Sequence, residues 1–132
     1  MSSKLILFID DEEDIQTLVS FCFDLEAGWQ LITASSGIEG IAIAEVKQPD
    51  AILLDVMMPE LDGLQTLAKL QHNPQTQHIP VIFITAKVQS SDRLAFYNAG
   101  AQGVITKPFD ALTLTSQITG FLGWENIMKG KS

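Results

Sequence analysis

Ile52-Leu53-Leu54-Asp55-Val56-Met57-Met58-Pro59-Glu60-Leu61-Asp62-Gly63 is the stretch from which the rest of the chain is read. Three apolar residues run straight into a lone acid, and a turn rich in Pro and Gly follows. An apolar run of this length, bounded by turn signals, predicts a strand buried on both faces. Asp55 then stands at the carboxyl end of that strand, where open α/β sheets place their ligands. Taken alone, Asp55 is better explained as a cap for the following turn. The ends of the other strands separate the two readings.

Working outward, Leu5–Ile9 is a second solid apolar run and predicts the first strand. Ile15, Leu18, Val19, Cys22 and Leu25 recur at helical spacing, which predicts an amphipathic helix from Asp14 to about Glu26. Gln30–Ala34 is a short second strand. Ser36 and Glu39 form a capping-box pattern ahead of Ile38, Ile41, Ala42 and Val46, the second helix. Ala51–Leu54 is the third strand. Leu64, Leu67 and Ala68 share one face of a third helix, from Gly63 to about Gln71. The polar segment from His72 to His78, broken by Pro74, is loop. Val81–Thr85 is the fourth strand, Ser91 to Ala99 a shorter helix ended at Gly100, and Gly103–Thr106 the fifth strand. Asp110 is placed to cap a last helix with Leu114, Ile118, Phe121 and Leu122 inward.

Strict alternation of strand and helix predicts a parallel sheet covered on both faces by right-handed crossovers. The chain of 132 residues suits one such doubly wound α/β domain, over residues 1–123, with a short tail at 124–132. With 46% hydrophobic and 18% charged residues it is globular. A formal charge of −8 argues against direct DNA binding, which needs a basic face. No run approaches the ~18 apolar residues of a membrane span, and no secretory pattern opens the chain. The lone Cys22 fits a reducing compartment and lies on an apolar helix face, so core packing is its expected role. A cytoplasmic location is the expectation.

In such a sheet the residues just after each strand share one crevice. Strand one ends in Asp10 and Asp11, strand three in Asp55, strand four in Thr85-Ala86 and strand five in Lys107-Pro108. Carboxylates pressed together repel, so they need a cation or a proton between them. Oxygen-only ligands suit Mg²⁺, which takes one or two carboxylates and completes its shell with water and phosphate. Glu13 and Asp14 are explained as acids in a first helical turn, where the macrodipole favours them. His72 and His78, six residues apart in a polar loop, read as solvated. No GxxxxGK[ST] phosphate loop is present. An EF-hand reading of Asp10, Glu12 and Asp14 fails because Ile15 stands where Gly is required.

Asp10-Asp11, Asp55 within Leu-Leu-Asp-Val-Met-Met-Pro-Glu-Leu-Asp-Gly, Thr85-Ala86 and Lys107-Pro108-Phe109, in that order, resemble the receiver domain of two-component response regulators. The resemblance covers roughly residues 4–123. It implies a flavodoxin-like (βα)5 fold with strand order 2-1-3-4-5, and a single-domain regulator like those of chemotaxis. It also implies roles. Asp55 is the phosphoacceptor, taking a phosphoryl group from a phosphohistidine on a sensor histidine kinase or phosphotransfer protein. Asp11 ligates Mg²⁺ directly, Asp10 directly or through water, and Asp55 and the Met57 backbone carbonyl complete the protein ligands. Lys107 pairs with a phosphoryl oxygen, the bond before Pro108 is cis, and Thr85 donates its hydroxyl to the phosphoryl group. The domain is its own substrate and not an enzyme with a separate one.

One departure stands out. The family's switch couples the Thr to an aromatic three residues before the Lys, and that position here is Val104, which has no aromatic ring to swing. Any output surface is still expected on helix four, strand five and helix five, where a downstream protein binds and a homodimer could form. Met57 and Lys87 are expected to flank the entrance to the phosphoryl group and to slow hydrolysis. Two rival readings remain. A Mg²⁺-dependent phosphohydrolase with a strand-end Asp needs an acid two residues on, where Met57 stands. A phosphate-independent interaction module is kept open by Val104.

Overall fold

The computed structural model describes residues 4–26, 28–86, 89–110 and 112–124. Ten elements alternate: β1 Lys4–Ile9, α1 Glu13–Asp24, β2 Trp29–Ala34, α2 Gly37–Lys47, β3 Ala51–Asp55, α3 Gly63–Gln71, β4 Val81–Thr85, α4 Ser90–Asn98, β5 Gly103–Thr106 and α5 Leu114–Leu122. The five strands form one sheet in the order β2-β1-β3-β4-β5, and every pairing is parallel. This is the flavodoxin-like order that the resemblance implied. The Lys107–Pro108 bond is cis, also as implied.

β3 lies at the centre and all of its residues are buried. Its side chains alternate between two cores. Ile52 and Leu54 face a cluster with Leu7, Ile9, Phe83 and Val104, roofed by Ala44, Leu67, Leu70 and Phe96 from α2, α3 and α4. Leu53 faces the other with Ile6, Phe8, Ile82, Ile84 and Ile105, roofed by Val19, Cys22, Phe23, Leu114 and Ile118 from α1 and α5. Burying each such side chain contributes about 1.5–3 kcal/mol, so register at β3 is strongly enforced. Cys22 is a core residue, and burial pushes its thiol up.

Several expectations about the helices need correction: Leu18, Leu25 and Leu64, read onto the apolar faces of α1 and α3, are exposed. Ile38 and Val46 point outward, 66% and 77% exposed, because α2 packs through Gly37, Gly40 and Ala44 instead. A Cβ at Gly40 would strike Ile9, so the small residues let the helix backbone settle onto the sheet and the large ones are left outside. Ala68 is likewise exposed, and α3 buries Thr66, Leu67 and Leu70. Asp110 does not cap α5, which begins at Leu114 after Thr113. Its carboxylate accepts from the Leu112 N–H at 2.9 Å and shapes the turn before the helix. The loop after α3 is anchored by Thr76, whose buried hydroxyl donates to the Leu70 carbonyl at 2.8 Å.

After α5, Trp124 packs back on Trp29 with ring centroids 5.8 Å apart, and the Lys4 ammonium lies 4.3 Å over its ring. The rest of the tail, 125–132, lies outside the described residues, as does Lys87. No helix among the described residues is long and apolar enough to cross a membrane.

Candidate functional site

Four of the five strands deliver a functional group to the carboxyl edge. Asp10 directly follows β1, and its N–H donates to the Ala34 carbonyl of β2 at 3.0 Å, extending the sheet pairing by one residue. Asp55 closes β3, Thr85 closes β4, and Lys107 follows β5 with its N–H bonded to the Thr85 carbonyl at 2.9 Å. Asp10, Asp55 and Thr85 are buried, whereas Asp11 is exposed at the rim.

The loop after β3 is held against the sheet by α3. Gly63 donates its N–H to the Val56 carbonyl at 2.9 Å. A Cβ there would come within 2.6 Å of both the Asp55 carbonyl oxygen and the Val56 Cα. Only a residue without a side chain allows this approach, so Gly63 fixes where Asp55 sits. Asp62 and Gln65 form a capping box that starts α3 at that point.

One carboxylate oxygen from each of Asp10, Asp11 and Asp55 lies within 4.8 Å of the others. Lys107 Nζ is 2.9 Å from Asp10 Oδ2 and 3.6 Å from Asp55 Oδ1. Asp10 Oδ1 accepts the Glu12 N–H at 2.8 Å, and Asp55 Oδ1 accepts the Met57 N–H at 3.3 Å. Both Asp10 oxygens are therefore engaged within the protein. Asp11 is the exposed member of the group.

The acids are not neutralised by one ammonium. Burial, then the Asp10 charge, push Asp55 up from 3.8 to about 6, against the opposing pull of Lys107. Burial also raises Asp10, despite its bonds to the Glu12 N–H and Lys107. For Lys107, burial pulls downward, but the bond to Asp10 and the neighbouring carboxylates outweigh it and the net direction is up. Such a site is short of positive charge. Its all-oxygen donor set, close spacing and unrelieved charge fit a hard divalent cation such as Mg²⁺.

Every sequence-predicted residue of this edge is where the strand ends place it, and Asp10, Asp11, Asp55 and Lys107 converge. Val104 is 3% exposed in the core beneath α4, in register with Phe83, and its side chain does not reach the surface. Tyr97, on α4, is 42% exposed, while its neighbour Phe96 packs edge-on against Phe83 at 5.0 Å. Met57 is 61% exposed beside Asp55. Sequence reasoning overlooked Glu12, whose Oε1 lies 3.4 Å from Lys107 Nζ. Only its place in the run of acids signalled it.

A central carboxylate is thus flanked by two acids and a lysine at the carboxyl edge of a 2-1-3-4-5 parallel sheet. The profile of the response regulator receiver domain matches residues 6–119, and the chain belongs to that family. It is 38% identical over 117 residues to the DNA-binding dual master transcriptional regulator RpaA of Synechocystis, covering 89% of this chain and 48% of RpaA. It is 34% identical to Protein PilH of Pseudomonas aeruginosa, covering 89% of this chain and 96% of PilH. The structure superposes on the chemotaxis protein CheY4 of Vibrio cholerae with a TM-score of 0.83 at 27% identity, covering 91% of this chain and 99% of that one. The chain spans about half the length of the transcriptional regulators it matches, 48% for RpaA and 49% for PhoP of Bacillus subtilis. Receiver domains are signalling domains that bind Mg²⁺ at an acidic pocket and interact with histidine kinases or phosphotransfer proteins and with output proteins.

Proposed function

We propose that Asp55 accepts a phosphoryl group from a phosphohistidine of a partner kinase or phosphotransfer protein, in a Mg²⁺-dependent reaction, and that the phosphorylated domain signals through protein contacts. The observation that carries this reading is the buried Asp55 at the sheet's carboxyl edge, with two acids within 4.8 Å and Lys107 at 3.6 Å. An Asp55 oxygen attacks phosphorus, the new O–P bond forms as the P–N bond breaks, and the imidazole leaves with the electron pair. Asp11, Asp55 and the Met57 carbonyl would hold Mg²⁺, with Asp10 reaching it through water because its oxygens are already engaged. When bound, the metal supplies the charge neutralisation that an anionic nucleophile and a transferring phosphoryl both require.

Lys107 stabilises the charge that gathers on the phosphoryl oxygens. Thr85, at the end of β4, donates its hydroxyl to one of them, coupling the site to α4 and β5. The output face is then α4–β5–α5, where Leu94 and Tyr97 are exposed and where a second copy of the domain would also dock. With Val104 buried, readout runs through backbone and Thr85 displacement and not through a swinging ring. The unit that performs this is residues 1–123, with 124–132 as an appended tail, in the cytoplasm.

Intact mass after incubation with a small-molecule phosphodonor tests the reading. A gain of one phosphoryl group that needs Mg²⁺ and is absent in Asp55→Asn is the expected result. No gain under any condition favours the phosphate-independent module that a buried Val104 keeps open.

A further inference from the structure

Among the described residues, Glu12 is the one charged side chain at Lys107 that the proposed chemistry leaves without a task. Its backbone is fixed relative to the site, since its N–H donates to Asp10 Oδ1 at 2.8 Å. Its carboxylate reaches over the rim to Lys107 Nζ at 3.4 Å. An ammonium carries three N–H donors, and Lys107 faces three carboxylates, Asp10 at 2.9 Å, Glu12 at 3.4 Å and Asp55 at 3.6 Å. The lysine assigned to the phosphoryl group is thus already fully surrounded by acids of its own chain.

We infer that Glu12 is a positioning residue, which holds Lys107 in the unphosphorylated protein and is exchanged for a phosphoryl oxygen when Asp55 is loaded. The inference rests on the reading of Asp55 as phosphoacceptor. Of the three acids, Asp10 is not the one released, because its side chain is fully buried and no water would take the place of Lys107. Asp55 loses its own hold as it becomes an acyl phosphate, since its negative charge passes to the phosphoryl oxygens. Glu12 is engaged by neither metal nor phosphoryl, and its side chain is 61% exposed, so water can receive it. The exchange breaks one charge-assisted contact at Nζ and makes another. Glu12 therefore opposes loading through its grip on Lys107, a grip that needs both its charge and its full length.

The test is the rate of Asp55 phosphorylation by acetyl phosphate with Mg²⁺, followed by intact mass, for wild type, Glu12→Gln and Glu12→Asp. In this reaction the Asp55 O–P bond forms, the P–O bond to acetate breaks, and acetate leaves with the electron pair. Glu12→Gln loads about two- to five-fold faster, the range set by an exposed ion pair, and the difference fades in ~1 M salt. Glu12→Asp keeps the charge but falls one methylene short of Lys107, so it also loads faster. A Glu12→Asp rate equal to wild type beside a fast Glu12→Gln would reduce the effect to general repulsion of the donor and overturn the positioning role. Equal rates in all three would overturn it too.

A second readout works without phosphate. The Lys107 ammonium ¹⁵N–¹H protons exchange with water several-fold faster in Glu12→Gln than in wild type, the Asp10 contact being retained; identical exchange refutes the hold. Failure of the wild type to load at all would instead overturn the reading of Asp55, and the exchange step with it.

Discussion

Replacing Asp55 by Asn should make the protein more stable, although it abolishes the proposed function. Asp55 is pushed up from 3.8 to about 6 chiefly by burial. That difference corresponds to about 3 kcal/mol of ionisation cost at neutral pH. Water at the open edge of the sheet screens part of it, so ~1–3 kcal/mol is the expected gain for the isosteric, uncharged Asn. The folded state binds the Asp55 proton more tightly than the unfolded chain does. Wild-type stability, measured against Asp55→Asn, is therefore full below about pH 4, falls as pH rises through about 6, and is level above it. Urea denaturation without divalent cations, at half-unit steps from pH 4.5 to 8, reads the difference directly. Mg²⁺ at 100 times its Kd returns about 2.7 kcal/mol to the wild type and closes the gap. A mutant no more stable than wild type at pH 7.5, or a gap that does not narrow toward pH 4.5, would refute the electrostatic account.

Four further variants have expected outcomes. Gly63→Ala should cost about 1–3 kcal/mol in urea denaturation, because the new Cβ meets backbone that cannot give way; Gly120→Ala, inside α5 with nothing within 4 Å, should instead be neutral or stabilise by about 0.5–1 kcal/mol. Lys107→Ala strips the group that lowers both acids, so Asp55 should titrate above about 6 by side-chain ¹³C NMR. The same variant should lose about 3 kcal/mol at pH 8 and regain part of it as the pH falls and the acids protonate. Met57→Asn, which sets a polar amide where an exposed thioether stands beside Asp55, should shorten the acyl-phosphate lifetime; an unchanged half-life by mass would dismiss the shielding idea.

The sheet and its edge were legible because they depend on backbone geometry. Apolar runs ending at Asp10, Asp55 and Thr85, and the shorter Val104-Ile105-Thr106 before Lys107, mark strand ends, and a parallel sheet brings its strand ends together whatever the side chains do. Helix faces were less legible. Ile38 and Val46 fit an inward stripe by spacing, but α2 uses Gly37, Gly40 and Ala44 to lie close to Ile9, and close packing by small residues carries no hydrophobic signal. Asp110 looked like a cap because its residue type suits one, yet the turn at Leu112 took it first. Glu12 was hidden for another reason. In a run of five acids, which carboxylate reaches a lysine 95 residues away is decided by loop direction, and residue type does not record that.

Lys107 and Asp10 lie 97 residues apart, one following the strand at the far edge of the sheet and the other following the first strand of the chain. Their contact exists only when β5 has docked on β4, which itself requires β3 to be in place. A chain still being synthesised, or one opened at its last strand, gathers the acids without the ammonium that tempers them. On the proposed reading of Asp55, the complete site is therefore present only after the last strand has docked, so assembly of the sheet comes before the chemistry at its edge.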